Sequence, residues 1–223
     1  MLMDLEEDIM LTVYEAIANR RSIRSFRSDP VPDEAIVAML EAARLAPSGS
    51  NRQPWRFIVV TDKEEKAKLR KVCFEQAFIE EAPVVFICCV DLTAYTRAAR
   101  EKRSQEFIDY GVIETLSGYF ADPAVRELFL NAPDDDLSVH FIPAMANTYI
   151  AVEHMVLTAT ALGLGSCWVG AIGSAEEMNT LFHLPPHTFV VAVLPVGHPA
   201  KVPPPRPRIS LDSILLRPLH KRP

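Results

Sequence analysis

The N-terminal half of the chain alternates apolar segments of helical period with short runs of β-forming residues. Apolar positions three and four apart predict an amphipathic helix over residues 9–19 and another that starts within residues 30–34 and ends before Pro47. Residues 55–61 and 84–90 are rich in β-branched and aromatic side chains and predict buried strands, with a charged helix over residues 63–75 between them.

The C-terminal half begins with a polar, irregular stretch. Residues 94–136 have a broken helical pattern that closes in an acidic run, and we expect this segment to be a lid or an excursion from the fold. Residues 143–162 are apolar on almost every side, which predicts a central buried helix. The remaining pattern predicts a strand over 166–169, a helix over 175–182 and a strand over 188–196.

The last residues, 199–223, form a proline-rich arm. Five prolines between residues 199 and 207 require an extended chain, and this chain leads into a group of apolar residues. These are Ile209, Leu211, Ile214, Leu215 and Leu216. An isolated tail would not expose such residues, so the arm must dock, either on its own chain or on a partner subunit.

Composition narrows the class of protein. A chain of 223 residues with 49% hydrophobic and 23% charged residues is typical of a globular protein, and we expect one domain over residues 1–223. A net charge of −6 argues against general nucleic-acid binding, and no apolar run reaches the roughly 18 residues of a membrane span. The acidic first residues do not resemble a signal peptide, so we expect a cytoplasmic protein.

The cysteines and histidines do not predict a metal site. The four cysteines lack metal-ligand and redox spacing, so buried thiols are expected. His183 and His187 are four residues apart, but Pro185 and Pro186 between them prevent a shared helix face.

Two segments carry the candidate chemistry. Residues 20–26 place Arg20, Arg21, Ser22 and Arg24 at the C-terminal end of the first helix, where guanidinium groups could bind a phosphate two oxygens at a time. The alternative is that these arginines are solvated or complement the helix dipole. Residues 47–55 are small, polar and turn-forming, and they lead into an aromatic strand, which suits a loop against a planar polar ligand.

A third segment contains two glycines. Gly163-Leu164-Gly165 follows a helix and precedes a strand, the reverse of the order in a dinucleotide-binding fingerprint. These glycines are therefore expected either to cap the helix alone, or to cap it and also leave room for a flat group close to the backbone beside Trp168 and Gly170.

Taken in order, these blocks resemble the nitroreductase family of FMN-dependent oxidoreductases. The matching segments are Arg-Arg-Ser-x-Arg-x-Phe at 20–26, Pro-Ser-x-x-Asn-x-Gln-Pro-Trp at 47–55 and Gly-Leu-Gly-Ser-Cys-Trp-x-Gly at 163–170. A weaker fourth block has Arg206 and Arg208 after the proline-rich arm. The resemblance implies an α+β fold with a central mixed β-sheet flanked by helices, and an intertwined homodimer with exchanged C-terminal arms.

The resemblance also implies a set of cofactor contacts. Phosphate and ribityl oxygens would be held by Arg20, Ser22, Arg24, Arg206 and Arg208, with Arg21 at or beside the pyrimidine side of the ring. The partner subunit would line the flavin with a loop made of Pro47, Ser48, Gly49, Ser50, Asn51 and Gln53. Backbone groups of Val169 and Gly170 would lie near the central ring, and Gln76 would add a polar contact.

The implied activity is electron transfer from NADH or NADPH through FMN to a nitroaromatic, a quinone or a related small acceptor, by a ping-pong mechanism. The flavin carries the chemistry, so no side chain is expected to act as a catalytic acid or base. Two alternatives stay open. One is a different flavin reaction on the same fold, such as dehalogenation, dehydrogenation or flavin breakdown, and the other is a non-catalytic flavin-binding dimer.

Overall fold

The sheet of this protein is small and almost wholly antiparallel. The computed structural model describes residues 11–115, 118, 122–124 and 136–217. Within these residues the strands are β1 (Trp55–Val60), β2 (Val84–Asp91), β3 (Gly165–Ser166) and β4 (Thr188–Gly197), in the order β1-β2-β4-β3 with antiparallel neighbours. Among the described residues, a parallel pairing occurs as a single bridge between Ser22 and Ser166. The described strands therefore form an antiparallel sheet and not the expected mixed one, because the parallel contact is an isolated bridge beside β3.

Helices cover both faces of the sheet. On one face lie α2 (Asp33–Arg44) and α6 (Phe141–Ala161), and on the other lie α3 (Lys63–Val72), α4 (Ala77–Glu81) and α7 (Ala175–Phe182). Side chains of β2 alternate between the two faces, because successive residues of a strand point in opposite directions. Val84, Phe86 and Cys88 pack with the first layer, and Val85, Ile87 and Cys89 pack with the second. The four cysteines are buried free thiols, as the sequence predicts.

Two further helices lie outside these layers. The helix α1 (Val13–Asn19) packs along α6, and α5 (Arg97–Asp109) follows β2. Thr12 and Glu15 form a reciprocal capping box that fixes the first turn of α1, so the helix begins at Val13 and not at the predicted residue 9. The C-terminal end at Asn19 agrees with the prediction and places Arg20 directly after the helix.

Several predicted elements have different bounds in the structure. The charged helix ends at Val72 instead of residue 75, because Phe74 and Glu75 adopt left-handed backbone angles. The short helix α4, which follows this break, was not predicted because five residues are too few to show a period. The predicted strand over 166–169 is reduced to β3, and Val169 pairs separately with Val193.

Apolar side chains of α1 and of the C-terminal arm lack cover in the single chain. Val13, Tyr14 and Ile17, the apolar positions of the predicted amphipathic helix, are 56–86% exposed. In the arm, Ile209, Leu211, Ile214 and Leu216 are at least 61% exposed. These apolar residues of the arm are therefore not covered by the described part of their own chain, although the arm is bonded to that chain at its start, where the Ala200 amide donates to the Ser25 carbonyl.

The central helix α6 is buried along one side only. Met155 and Ala159 are fully buried, while Ile142 and Ile150 are exposed in the single chain. No helix in the described ranges is long and apolar enough to span a membrane. Much of the predicted lid over 94–136 lies outside the described residues, and α5 is the helix described within it.

Candidate functional site

The arginine segment after α1 is held between the sheet edge and the C-terminal arm. The Ile23 amide donates to the Ser166 carbonyl at 2.9 Å, and the Ala200 amide donates to the Ser25 carbonyl at 2.9 Å. A Cβ atom on Gly165 would lie 2.5 Å from Cγ1 of Ile23 and 2.9 Å from Cγ of Pro199. The absence of a side chain at Gly165 therefore lets the arginine segment, β3 and the arm meet.

This junction forms a cleft between α1 and the arm. The cleft has a volume of about 470 Å³. Its charged lining consists of Arg20, Arg21, Arg24, Arg206 and Arg208, and Ser22 lies among them. No acidic side chain is among its described lining residues. Two segments that are about 180 residues apart in the sequence thus build one cationic surface in an acidic protein.

The arginines of the cleft differ in what they already bind. Arg21 turns back onto the end of α1, where its Nη1 donates to the carbonyls of Ala18 and Arg20 at 2.8 Å each. In the described part of the chain, Arg20, Arg24, Arg206 and Arg208 form no salt bridge. Arg21 therefore complements the helix end, as the alternative interpretation predicted, while four other guanidinium groups of the cleft have no acidic partner within these residues.

The cleft lies against the buried edge of the sheet. Burial raises the pKa of the Cys167 thiol, and the positive charges of Arg24, Arg20 and Arg206 act in the opposite direction. The same three arginines line the cleft, and their segment is hydrogen-bonded to Ser166, the residue before Cys167. Burial raises the pKa of the Glu153 carboxyl on α6. The positive charge of Arg20 partly opposes this rise, although the two side chains form no salt bridge.

Gln76 lies between α4, which contacts Arg24, and the turn that contains Gly170. The Arg24 guanidinium lies 5.9 Å from the ring centroid of Phe78 on α4, the helix that Gln76 precedes. The Gln76 amide donates to the carbonyls of Cys73 and Ala171, at 2.9 and 3.2 Å, so its oxygen is the atom left to contact a ligand. Gln76 thereby connects the arginine segment to the turn that contains Gly170.

The backbone amide of Val169 is hydrogen-bonded within the sheet, whereas Gly170 is exposed. The Val169 amide donates to the Val193 carbonyl at 2.9 Å, and the Val193 amide returns the bond at 3.0 Å. Gly170 is exposed, and no atom lies within 4 Å of the position that a Cβ would occupy. The open backbone position at this turn is therefore Gly170, whereas the Val169 amide is already used to hold the turn on β4.

The loop of residues 47–54 has an unusual backbone conformation. Ser50, Asn51 and Gln53 all have φ near +50°, a region that non-glycine residues seldom occupy. The Ser48 hydroxyl accepts a hydrogen bond from the Gln53 amide at 3.0 Å and closes the loop. Pro47, Gly49 and Asn51 are exposed at its surface. Left-handed residues clustered in a polar loop are a feature of ligand-binding and active sites.

Side chains from distant parts of the chain hold this loop. The Gly49 amide donates to Oδ1 of Asn147 on α6 at 3.2 Å, and Nδ2 of Asn147 donates to the Tyr95 hydroxyl at 2.9 Å. Arg52 is buried, and its guanidinium lies 5.1 Å from the Tyr95 ring centroid. Asn147 was not predicted, because 98 residues separate it from Gly49 and its helix carries other polar residues as well.

The structure thus brings together three of the four predicted blocks. The arginine segment and the Arg206–Arg208 pair line one cleft, and Ser166 of the glycine-containing block is hydrogen-bonded to Ile23 of the arginine segment. Gln76 lies outside this lining and is bonded to Ala171, next to Gly170. The loop of residues 47–54 does not line the cleft in the described part of the chain. It faces a different set of neighbours, namely Asn147, Tyr95 and Ala94.

Comparisons with known proteins agree on one family. The family model described as the nitroreductase family matches residues 17–198. An NADH dehydrogenase of Thermus thermophilus is 32% identical, over 93% of this chain and 96% of the relative. An FMN reductase of Bacillus subtilis is 29% identical, over 92% of this chain and 73% of the relative. The structure of B. megaterium NfrA2 matches this chain with a TM-score of 0.73 at 27% identity. The match covers 95% of this chain and 76% of the NfrA2 chain. The chain therefore belongs to the nitroreductase family.

Proposed function

We propose that this protein is an FMN-dependent oxidoreductase that passes electrons from NADH or NADPH to a nitroaromatic, a quinone or a related small acceptor. The observation that carries the proposal is the cleft lined by five arginines and Ser22, without a described acidic side chain, in a chain of net charge −6. The relatives named NADH dehydrogenase and FMN reductase support the same class of reaction.

The cleft suits the phosphate end of FMN. Guanidinium groups of Arg20, Arg24, Arg206 and Arg208 would share the phosphate charge, and the Ser22 hydroxyl would donate to a phosphate or ribityl oxygen. Because these side chains have no acidic partner within the described residues, binding an anion would not require breaking an existing salt bridge there. Arg21 would add charge while it stays bound to the end of α1.

The ring end of the flavin would lie towards Gln76 and Gly170. The Gln76 side-chain oxygen is an acceptor for a ring N–H group, and the Gly170 backbone is open to a planar group. Val169 would act by holding this turn on β4, since its amide is already bonded to Val193.

The second wall of the flavin site would come from another copy of the chain. Pro47, Ser48, Gly49, Ser50, Asn51 and Gln53 form the polar loop that does not line the cleft of their own chain. The exposed apolar residues of α1 and the arm favour a homodimer, because burial of such side chains stabilises association. We therefore infer an intertwined homodimer with exchanged arms.

FMN, when bound, would supply the hydride and electron chemistry. The chain itself binds and orients: arginines fix the phosphate, and backbone and amide groups fix the ring edge. A nucleotide donor and an oxidised acceptor would use the same face of the ring in turn, which is ping-pong turnover. No described titratable side chain is needed as an acid or base in this scheme.

An anaerobic absorbance experiment tests the proposal. The purified chain, incubated with FMN and freed of excess, should show bound-flavin absorbance that bleaches with NADH or NADPH and returns when a quinone or nitroaromatic is added. Bound flavin that neither nucleotide reduces would support the non-catalytic alternative. Bleaching that recovers only with a halogenated phenol would support a different flavin reaction. A protein that retains no flavin would refute the cofactor assignment.

A further inference from the structure

We propose that Tyr95 is a positioning residue for the loop of residues 47–54, which it controls through Asn147. The inference rests on the proposed function, because that proposal places the loop against the flavin. Tyr95 lies outside the arginine cleft and in none of the segments that resemble the family motifs. Its role would be to hold the loop in its binding conformation.

A directed chain of two hydrogen bonds connects Tyr95 to the loop. A backbone amide can only donate, so the contact from the Gly49 amide fixes Oδ1 of Asn147 as the atom that faces the loop. Nδ2 of Asn147 then faces Tyr95 and donates to its hydroxyl at 2.9 Å. Loss of the Tyr95 hydroxyl would remove the partner that fixes the orientation of the Asn147 amide.

The Tyr95 ring is itself held firmly. It is 7% exposed and stacks on the His140 ring, with centroids 4.9 Å apart and an angle of 21° between the planes. On the loop side, the Arg52 guanidinium lies 5.1 Å from its centroid, and Nη1 of Arg52 donates to the Ala94 carbonyl at 3.4 Å. Burial raises the pKa of the Tyr95 phenol, so the group is a neutral hydroxyl at neutral pH and keeps its place in the hydrogen-bond chain.

The loop needs external support because of its backbone. Ser50, Asn51 and Gln53 have left-handed angles that are unfavourable for side-chain-bearing residues and persist only where the surroundings impose them. The surroundings here are the Asn147 bond to Gly49 and the contacts of Arg52. Tyr95 takes part in both, which makes it the shared support of the loop.

The position of Tyr95 also connects the loop to the segment after β2. Tyr95 is the last residue of a short 3-10 helix, Leu92–Tyr95, and His140 is the last residue of another, Leu137–His140. The Tyr95–His140 stack therefore brings the two ends of the intervening residues together.

The test compares Tyr95→Phe with Tyr149→Phe in the full-length protein. Tyr149 is a matched control, because its hydroxyl also makes one hydrogen bond, which goes to the Val191 carbonyl at 3.1 Å and thus to a residue outside the loop. In the flavin-free chain, Tyr95→Phe should speed hydrogen exchange of the Gly49 amide several-fold. In FMN titrations Tyr95→Phe should raise the dissociation constant of FMN by about fivefold, because one net hydrogen bond is lost. Tyr149→Phe should leave both quantities within about twofold of the wild type.

A double-mutant cycle separates positioning from a direct role. In an Asn147→Ala background the Tyr95→Phe change should alter FMN affinity by less than about twofold, because the hydroxyl acts through Asn147. An undiminished effect in that background, or equal effects of Tyr95→Phe and Tyr149→Phe, would overturn the inference. If wild-type protein bound no FMN, the proposed function would fail, but the Gly49 exchange rates would still decide whether Tyr95 holds the loop.

Discussion

At the scale of single residues, the arginines of the cleft differ in how many hydrogen bonds their guanidinium groups already make within the chain. Arg21 satisfies two carbonyls at the end of α1, whereas Arg24 contacts the Phe78 ring and has no acidic partner in the described ranges. A charge with no counter-ion nearby is available for an anionic ligand. The arginine motif therefore combines a residue that stabilises the helix end with residues that can bind phosphate.

Replacing Arg24 with Ala should weaken FMN binding by about tenfold to a hundredfold, the range for one charge-assisted hydrogen bond. Arg27→Ala is the matched control, since Arg27 lies in the same segment but outside the cleft and pairs with Asp29 at 3.1 Å. Fluorescence titration of the flavin-free variants gives both constants. Equal losses in the two variants would mean that only the general positive charge of the segment matters.

The cysteines should be unreactive in the native protein. Burial raises the pKa of Cys73 to about 11 and of Cys89 to about 12, and it also raises the pKa values of Cys88 and Cys167. A thiol must ionise to react, so a disulfide reagent at pH 8 should label less than about 0.2 thiols per chain before denaturation and four after it. Rapid labelling of one thiol in the native state would contradict this burial.

At this scale the sequence could identify the types of residue in the site, but not the hydrogen bonds and contacts that each residue makes. The arginines, Ser22 and the polar loop were recognisable from local motifs. The Arg21 side chain turning onto α1 and the Val169 amide pairing with Val193 depend on how the chain packs, and neither could be predicted from local spacing. Asn147 and Tyr95 were missed for the same reason, since 98 residues separate Gly49 from Asn147.

At the scale of secondary-structure elements, one glycine controls how three segments meet. Gly165 in β3 lies against Ile23 of the arginine segment and Pro199 of the arm, and a Cβ there would come within 3.0 Å of both side chains. Because the chain is closely packed at this point, the position of the arginines depends on the strand edge.

Gly165→Ala should destabilise the protein by about 1–3 kcal/mol through overpacking, with FMN binding weakened because the arginine segment is displaced. Gly170→Ala provides the stability control, since no atom lies within 4 Å of the position that the new methyl group would occupy and the φ of Gly170 is not left-handed. Urea unfolding of the flavin-free variants measures the difference. An unchanged midpoint for Gly165→Ala would show that the three segments can separate without cost.

Elements with a strong period or a cap could be predicted, and short ones could not. The helix over 175–182 matches α7 at both ends, with a capping box of Ser174 and Glu177 at its start and a left-handed His183 after its last residue. The cap at Gly163 is also confirmed, with φ of +73° two residues after the end of α6. In contrast, the α4 helix and the two-residue strand β3 are set by tertiary packing, which leaves no period in so short a sequence.

At the scale of the whole molecule, the exposed apolar residues and the divided site point to the same arrangement. The C-terminal arm is exposed along residues 204–214, and α1 presents three uncovered apolar side chains. The polar loop and the arginine cleft belong to different surfaces of one chain. A second copy that covered the arm and α1 could also bring its loop to the cleft, so that assembly and cofactor binding would depend on each other.

Disrupting the arm should therefore separate the dimer and remove the flavin together. In Leu211→Asp/Ile214→Asp, two exposed apolar residues become charged, while Arg206 and Arg208 are retained. Light scattering after gel filtration should give about twice the chain mass of 24.9 kDa for the wild type and about one chain mass for the variant, whose FMN affinity should fall by at least about tenfold. Lys201→Asp, on the same arm at an exposed polar position, should remain dimeric. A variant that became monomeric yet bound FMN with wild-type affinity would show that one chain builds the whole flavin site, and it would contradict the shared site.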